Sequence, residues 1–503
     1  MQARTESSRE STVGAGWQCA AGRFQRLVPE RAKAFGWLNP RPLWQSRNDR
    51  LARALGDPTD DRRRAWMAQL GSRDLVVELE RDLPLSFLVM GDTGEGDGSQ
   101  LAVVPPLLAS ARDAAFLFIC SDVVYPAGGI DDYLPKFFAP YVDFPAPIYA
   151  IPGNHDWYDD ATGFMYWFCG QERPPARTRG RPFTRTWLRD RLWRRALRAD
   201  PNVVAAVRQL PRPAGQRVGQ PAPYFALDVG ELRLVAIDTG ITGGIDRDQG
   251  AWLREVSRGS RPKILLTGKS IYVDGHYHPG AIEGETSTID DLVRDPDHGY
   301  IAAIGGDIHN YQRYPVRLGD GRTIVYLVSG GGGAFMHATH AIGSIDATGV
   351  VSEADFRCYP LRGDCLSRYS VLYGRKLRFV GGDRFLYVRP DAAAAIIAKR
   401  LGVAATRPSA REVTPTWRER VSAAILLRLP GRGERALHLP FSEWLDFNEP
   451  PMFKSFLRFD LDVGQLTIRC FAATGCAAQE DDPPVEDTLQ ARRTGSGAWE
   501  WSV

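Results

Sequence analysis

The sequence predicts an α/β fold built on mixed β-sheets. Short apolar runs recur from Leu85 onward, and each ends abruptly in Gly, Asp, Asn or His. Runs this short that are rich in β-branched and aromatic side chains are typical of strands buried on both faces. Helical patterns lie between some of the runs, and this alternation indicates βαβ units. A chain of 503 residues can hold about three ordinary domains or one large α/β domain with insertions.

Seven of the apolar runs are predicted to be strands, and they are residues 85–92, 114–122, 147–156, 232–240, 263–269, 300–309 and 323–333. The candidate helices between them are residues 101–112 and 247–257. Residues 456–471 alternate around a glycine-containing turn and, like residues 223–238, are predicted to form a β-hairpin. The sheets therefore contain antiparallel as well as parallel pairs.

The composition is that of a globular protein, with 44% hydrophobic and 24% charged residues, which excludes a disordered or fibrous chain. The net charge of +3 gives no reason to expect a nucleic-acid partner. Seven cysteines without a CxxC pair argue against a disulfide framework and a zinc ribbon. The first residues lack an apolar signal segment and no long apolar run occurs, so we expect a soluble, cytoplasmic protein.

Polar side chains follow several of the predicted strands, at the edge where ligands of open α/β sheets collect. Oxygen and imidazole donors on successive strand ends suit a hard or borderline metal ion. For any one residue the alternative is a helix cap, because Asp and Asn after a strand often begin the next helix. The side chains concerned are Asp92, Asp122, Asn154, His155, Asp307 and His309.

From about Phe87 to Gly333 the chain resembles the calcineurin-like metallophosphoesterases. The resemblance rests on GDTG (91–94), SDVVY (121–125), GNHD (153–156) and GDIHNY (306–311), in the order of the family. It implies a two-sheet β-sandwich flanked by helices in four layers, with two metal ions bridged by one aspartate. It also implies hydrolysis of a phosphate ester, either a phosphomonoester or a phosphodiester, by a metal-activated water.

The same resemblance assigns roles to the polar residues. It places Asp92 and His309 on the first metal, Asp122 between the two metals and Asn154 on the second. His155, oriented by Asp156, is expected to assist the leaving group.

The first motif narrows the resemblance. The common form is Asp-x-His, whereas this chain has Asp92-Thr93-Gly94, and Tyr125 stands three residues after Asp122. This pairing is similar to the purple acid phosphatase branch, in which a tyrosinate binds a ferric ion. A phenol, with a pKa near 10, becomes a ligand most readily on a strongly acidic trivalent ion. The alternative is that Tyr125 only forms an aromatic wall before Pro126.

The second metal position departs from the family, because Gly268 and Asp307 stand where histidines are usual. Carboxylate ligands disfavour Zn²⁺, so we expect one or two ions among Fe, Mn and Mg. Lys269 complicates this position, since an ammonium about 5 Å from a dication is repelled by roughly 6–7 kcal/mol. Two outcomes stay open: a weak second metal with Lys269 turned away, or a single metal with Lys269 holding phosphate. His278, in the following loop, is a further candidate substrate contact or an exposed loop histidine.

Changes in composition and periodicity also divide the chain. Residues 1–83 are predicted to be an N-terminal extension or helical cap, and residues 84–375 the phosphoesterase domain. Residues 376–503 are predicted to be an insertion of helix or loop plus a hairpin that closes the same sandwich.

Residues 161–222 form an arginine-rich insertion with 13 arginines, no lysine and three acidic residues. Within it, residues 184–198 are predicted to be a basic amphipathic helix that rests on a membrane surface or a partner, or covers the metal site. The alternative is a helix packed on the core with its arginines in solvent. Three functions stay open: a phosphoesterase acting on a phosphorylated small molecule, a degenerate relative that binds without turnover, and a peripheral membrane protein acting on lipid phosphates.

Overall fold

The predicted strands assemble into two sheets that pack face to face in a computed structural model of the chain. The structure describes residues 19–29, 40–177, 181–194, 196, 198–347, 349–405, 408–428, 449–495 and 497–502. Nearly all of the short apolar runs become strands because each buries side chains on both faces, one against the other sheet and one against helices.

The strands are β1 Val76–Leu79, β2 Leu85–Met90, β3 Ala114–Ile119, β4 Ile148–Ala150, β5 Phe225–Val229, β6 Leu232–Ile237, β7 Lys263–Thr267, β8 Tyr272–Val273, β9 His276–Tyr277, β10 Tyr300–Gly305, β11 Tyr311–Arg317, β12 Thr323–Ser329, β13 Asp346–Ala347, β14 Val351–Ser352, β15 Arg357–Tyr359, β16 Lys454–Asp462, β17 Gln465–Ala473, β18 Val485–Arg493 and β19 Trp499–Ser502.

The helices are α1 Pro40–Gln45, α2 Arg47–Leu55, α3 Thr59–Leu70, α4 Gly98–Leu101, α5 Val104–Ser110, α6 Asn154–Trp157, α7 Thr162–Cys169, α8 Arg185–Leu192, α9 Pro201–Gln209, α10 Arg247–Ser257, α11 Ile289–Arg294, α12 Arg362–Lys376, α13 Gly382–Phe385, α14 Pro390–Leu401 and α15 Trp417–Arg428. Short 3₁₀ or π turns occur at Arg23–Arg26, Ile130–Asp132, Leu134–Phe138, Pro296–His298, Thr339–Ala341, Arg378–Val380, Pro408–Arg411 and Ala477–Gln479.

Both sheets are mixed. The first has the order β1-β5-β6-β7-β10-β12-β11-β15, and the second has the order β19-β18-β17-β16-β2-β3-β4. Strands β2, β3 and β4 are parallel neighbours, as are β7 and β10. Their carboxyl ends therefore lie together at one edge of each sheet.

The main core lies between the two sheets. Phe118 of β3 packs on Phe225 of β5 across the interface, with ring centroids 5.9 Å apart. Leu88 and Leu117 face the opposite way, into a cluster with α5 and α7, while Val235 and Leu265 face α10 and α11. This arrangement confirms the predicted α/β architecture of two sheets flanked by helices.

Both predicted hairpins are confirmed as the antiparallel pairs β5–β6 and β16–β17. The predicted helix 247–257 coincides with α10, whereas 101–112 is divided between α4 and α5. The prediction of a helix over 184–198 is too long. Helix α8 ends at Leu192, where Trp193 becomes extended and its indole nitrogen donates to Asp160 Oδ1 at 3.1 Å.

The segment predicted as an N-terminal cap is partly a strand. Strand β1 pairs in parallel with β5 and adds an edge to the first sheet, and Trp66 of α3 is fully buried beside the second sheet. After residue 361 the described part of the predicted insertion is helical, and α12, α14 and α15 pack on the core between the sheets. Residues 429–448 of that insertion lie outside the described residues.

The cysteine count did not anticipate the disulfide that joins Cys19 to Cys476. The other five cysteines, at 120, 169, 358, 365 and 470, are buried thiols, so one bridge exists without a framework. Nearby, Arg23 Nε donates to Glu480 Oε2 at 3.1 Å and Gly22 N donates to Gly475 O at 2.9 Å. The N-terminal segment is therefore fastened to the turn after β17 by more than the bridge.

Across the described residues, no helix has the length and apolar character needed to cross a bilayer.

Candidate metal centre

The two sheets meet at the edge formed by the carboxyl ends of their parallel strands. Gly91 N, after β2 of the second sheet, donates to Ser329 O of β12 in the first sheet at 2.8 Å. Asp307 N, after β10, donates to Asp92 Oδ2 at 2.9 Å. Side chains from both sheets are thus brought into one cluster, as the sequence analysis predicts.

Three aspartates of this cluster adopt backbone conformations that L residues avoid. The φ angles are 59° at Asp92, 22° at Asp122 and 70° at Asp307. Positive φ costs free energy and is held only where the surrounding structure imposes it, most often at functional sites. Each aspartate stands two or three residues after the end of a buried strand, so the sheets impose the turn.

Two glycines allow the loops to approach the aspartates. A Cβ on Gly153 would lie 2.1 Å from Asp122 Oδ1, and one on Gly306 would lie 2.6 Å from Asp92 Oδ2. No side chain fits at such distances, so both motifs need glycine at these positions.

The hydroxyl of Tyr125 lies at the centre of the cluster. It is 3.1 Å from Asp92 Oδ1, 3.1 Å from Asp122 Oδ2 and 3.1 Å from His309 Nε2. Burial raises the pKa of Tyr125 well above its ordinary value, and the two carboxylates raise it further. In this state the phenol is protonated and donates a hydrogen bond. The structure therefore brings together four of the predicted metal ligands.

Gly94 explains why the usual histidine of the first motif is missing. A Cβ at this position would lie 2.0 Å from Val123 O, so the loop after β2 has no room for a side chain. Gly94 O accepts a hydrogen bond from Tyr125 N at 2.9 Å. The close packing of the two loops thus excludes a histidine at 94 and positions Tyr125.

The imidazole of His309 is held in the tautomer that binds metals. Its Nδ1–H donates to Phe335 O at 2.7 Å, which leaves Nε2 as the acceptor that faces Tyr125 and Asp92. Burial lowers the pKa of His309 well below its ordinary value, and the neighbouring His337 lowers it further. The ring of His337 stacks on it with centroids 4.3 Å apart.

The donor set fits one metal ion. Ligands placed about 2.1 Å from one ion at right angles lie about 3 Å apart, which matches the spacing around Tyr125. Burial raises the pKa of Asp92 well above its ordinary value, and Asp122 and Asp307 add to this. Such a buried group of acids is ionised only if a cation compensates it. Among the described residues, no group of three or more His, Cys, Asp or Glu side chains is arranged to hold a metal ion.

His155 lies at the edge of the cluster, half-buried, and its ring centroid is 4.5 Å from that of Tyr125. Its backbone nitrogen donates to Asp122 Oδ1 at 2.7 Å. The ring is held by Pro126, whose carbonyl oxygen lies 2.8 Å from Nδ1.

Asp156 does not orient the ring of His155 as the sequence predicts, because its oxygens bind other groups. Asp156 Oδ2 accepts from Val123 N at 2.9 Å and from Gly153 N at 3.0 Å, and Oδ1 accepts from Tyr133 at 3.3 Å. Burial and then the charge of Asp122 raise the pKa of Asp156 to about 8. Asp156 therefore joins the loops that carry Asp122 and Asn154, because its oxygens satisfy backbone groups that the turns leave unpaired.

The amide of Asn154 lies between two carboxylates. One of its terminal atoms is 3.3 Å from Asp122 Oδ2 and 3.0 Å from Asp307 Oδ1, and the other is 2.7 Å from the hydroxyl of Tyr158. With nitrogen facing the carboxylates, the amide donates to both. With oxygen facing them, three oxygens converge as the ligands of a cation do.

Lys269 points into this part of the cluster. Its Nζ lies 2.5 Å from Asp307 Oδ1. Burial opposes ionisation of Asp307, but the charge and hydrogen bond of Lys269 hold its pKa below the ordinary value. Of the two outcomes left open by the sequence, the structure has Lys269 turned inward.

His278, the remaining predicted substrate contact, lies on an exposed loop after β9, where its backbone nitrogen donates to Ile271 O at 2.7 Å. Its role stays a prediction. Three further groups at the site were not predicted from the sequence: Tyr158 and the carbonyls of Pro126 and Phe335. Tyr158 follows Asn154 by one helical turn, a spacing that brings side chains together. The two carbonyls carry no signal in the sequence.

Residues 85–311 match the family model described as calcineurin-like phosphoesterase. The chain carries a calcineurin-like phosphoesterase domain. This match confirms the family resemblance over residues 85–311. The phosphoesterase domain includes Asp92, Asp122, Tyr125, Asn154 and His309.

Solved structures that match the chain include three at low identity. Purple acid phosphatase PPD1 from yellow lupin (Lupinus luteus) seeds is 11% identical with a TM-score of 0.39, and the match covers 83% of this chain and 55% of the lupin chain. GAP50, the anchor in the inner membrane complex of Plasmodium, is 11% identical with a TM-score of 0.30, over 50% of this chain and 73% of that one. PhoD is 10% identical with a TM-score of 0.35, over 84% and 72%. No curated protein sequence matches the chain.

Proposed function

We propose that the chain is a metal-dependent hydrolase of phosphate esters, with one metal ion held by Asp92, Asp122, Tyr125 and His309. The observation that carries the proposal is the hydroxyl of Tyr125, 3.1 Å from a donor atom of each of the other three side chains. A metal ion supplies Lewis-acid chemistry at such a site, because it withdraws charge from the phosphate and makes water more acidic. The Tyr125 phenol favours iron, and the carboxylates suit iron, manganese or magnesium.

His155 is proposed to supply the proton that the leaving oxygen needs. With Nδ1–H fixed on Pro126 O, the protonated ring presents Nε2–H and keeps one orientation while it gives up the proton. Its half-buried position at the edge of the cluster gives a substrate access to that nitrogen. Asp156 supports this step indirectly, because it accepts a hydrogen bond from Gly153 N and so fixes the loop that carries His155.

The experiment that tests the proposal is turnover of p-nitrophenyl phosphate and bis(p-nitrophenyl) phosphate by protein loaded with Fe, Mn²⁺ or Mg²⁺. We expect activity that a chelator removes and metal restores. Asp122→Asn and His155→Asn are each expected to lower kcat by about 100-fold or more.

His298→Asn is the matched control for His155→Asn. His298 is buried and its Nδ1 lies 2.7 Å from Leu292 O, so its environment has the same kind of hydrogen bond outside the cluster. Wild-type rates in both Asp122→Asn and His155→Asn would refute the assignment.

A second candidate is a protein that binds a phosphorylated ligand without turnover. The ion pair between Lys269 and Asp307 favours it, because a cation already compensates one carboxylate of the site. Metal and inorganic phosphate would then bind by calorimetry while no ester is hydrolysed. Ester hydrolysis that a chelator abolishes would favour the enzyme over this second candidate.

A third candidate acts on phosphates of lipids at a membrane surface. Phe183, just before α8, is 91% exposed, and Leu188 and Leu192 of α8 are also exposed. The insertion reaches the site side of the molecule, since an Arg194 Nη donates to Ala127 O at 2.8 Å, beside Pro126. Co-sedimentation with vesicles that contain phosphatidic acid, lost in Phe183→Asp, would support this candidate over a soluble substrate.

A further inference from the structure

The ammonium of Lys269 occupies a fixed position in the cluster. Its Nζ lies 2.5 Å from Asp307 Oδ1, and about a fifth of the side chain is exposed, 22%. The backbone is held on both sides, because Lys269 N donates to Thr239 Oγ1 at 3.2 Å and Lys269 O accepts from Thr267 Oγ1 at 3.1 Å. The short loop after β7 therefore aims this side chain at Asp307.

The same oxygen of Asp307 belongs to the group in which a second metal ion would bind. Asp307 Oδ1 is 3.0 Å from the amide of Asn154, and that amide atom is 3.3 Å from Asp122 Oδ2. These three side chains are the oxygen donors left at the second position. Gly268, before the lysine, contributes no side chain, and a Cβ there would already be 3.0 Å from Thr239 Oγ1.

A second metal ion does not fit this arrangement. An ion held by Asp122, Asn154 and Asp307 would lie in contact with the oxygen that Lys269 binds, and two cations at that distance repel each other in a partly buried site. The ammonium already compensates the carboxylate that would attract the ion.

We propose that Lys269 takes the place of the second metal ion, so that the centre holds one ion and one fixed ammonium. This inference rests on the proposed function, since it concerns the same site. The ammonium keeps the positive charge of the second position next to Asp307, where phosphate oxygens would meet it, and Nζ can donate to them.

The test is the metal content of the full chain, independent of activity. Wild-type protein, Lys269→Gln, Lys269→Arg and Lys399→Gln are equilibrated with excess Mn²⁺, freed of unbound metal and measured by elemental analysis. Lys399 lies on an exposed face of α14 and serves as the control. We expect one equivalent per chain in the wild type, Lys269→Arg and Lys399→Gln, and two in Lys269→Gln.

Two equivalents in the wild type would overturn the inference and leave the proposed function standing. One equivalent in both the wild type and Lys269→Gln would also overturn it, because the ammonium would then not be what excludes the ion. No bound metal in any of the four proteins would instead overturn the proposed function. If Lys269→Gln does not fold, as judged by circular dichroism, Lys269→Met replaces it, with the same two equivalents expected and one equivalent overturning the inference.

Discussion

Arg63 of α3 forms a buried ion pair with Asp238 at the end of β6, with 2.8 Å between Nε and Oδ2. The other oxygen of Asp238 accepts from the indole of Trp157 at 2.9 Å, and Trp157 follows directly after the GNHD motif. A second ion pair joins Arg63 to Asp246 at 2.7 Å. A helix from the N-terminal segment thus supports the loop that carries His155.

Replacing Arg63 by methionine is expected to lower the free energy of unfolding by about 3–5 kcal/mol. The substitution leaves Asp238 and Asp246 without their partner in a fully buried position. Urea denaturation would measure the loss. Arg64→Met is the control, since Arg64 pairs with Asp61 and Glu283 at the surface, where such pairs contribute about 0–1 kcal/mol. Equal losses in the two variants would contradict the support role of Arg63.

Replacing Tyr125 by phenylalanine is expected to weaken retention of the metal by about 10–100-fold. The change removes one donor from the cluster and keeps the ring that packs against Ala334 and Phe335. Elemental analysis after dialysis would measure the retained metal, and iron-loaded wild type should show the visible absorption of a ferric phenolate. Tyr300→Phe, which removes a buried hydroxyl bonded to Ser257 at 2.8 Å, should behave as wild type. Unchanged retention in Tyr125→Phe would mean that the tyrosine is only a wall of the site.

Glu419 makes the free energy of unfolding depend on pH in the acid range. Burial alone would raise its pKa, but hydrogen bonds from Arg389 and Thr416 outweigh burial and lower the pKa to about 2 from 4.5. A depressed pKa means that the stabilisation is complete above about pH 4.5 and is lost as the pH falls toward 2. Since Arg389 is about half exposed and solvent screens its charge, the size of the stabilisation is on the order of 2–3 kcal/mol.

Glu419→Gln is therefore expected to flatten the unfolding free energy between pH 5 and pH 3, as chemical denaturation at each pH would show. Glu412→Gln, on an exposed side chain of the same region, should leave the profile unchanged. A profile of Glu419→Gln as steep as that of the wild type would place the acid sensitivity elsewhere.

Reduction of the disulfide between Cys19 and Cys476 is expected to lower the melting temperature. The bridge closes a loop across a sequence separation of 457 residues, and bridges of this kind contribute about 2–4 kcal/mol. The measurement is thermal unfolding with and without dithiothreitol. Cys19→Ser should melt at the temperature of the reduced wild type and should not respond to the reductant.

Much of the fold could be predicted because its strands carry their own signal. Runs such as 85–92 and 263–269 are apolar on both faces and end in turn residues, so both their identity and the edge that they share were predictable. Strand β1 was missed because Val76–Leu79 is short and only half-buried. The end of α8 was not predicted because it depends on a hydrogen bond from the indole of Trp193 to Asp160. These residues are 33 positions apart, so the contact leaves no local signal in the sequence.

In the candidate site, too, some features could be predicted from the sequence and others could not. Its charged residues were predictable because they stand at strand ends within a recognisable family pattern. The direction of Lys269 was not, since it depends on hydrogen bonds between its backbone and the hydroxyls of Thr239 and Thr267. The carbonyl of Pro126 that orients His155 was equally hidden, because every residue has a carbonyl and only the folded chain selects one.

The left-handed backbone at Asp92, Asp122 and Asp307 destabilises the fold at the same residues that supply the carboxylates of the site. Glycine at these positions would relieve strain of about 1 kcal/mol or more at each residue while deleting the carboxylate. Substitutions chosen only to stabilise the protein would therefore remove the carboxylates of the site first. The three carboxylates therefore stand where the backbone alone favours glycine, and the surrounding fold carries the strain that keeps them in place.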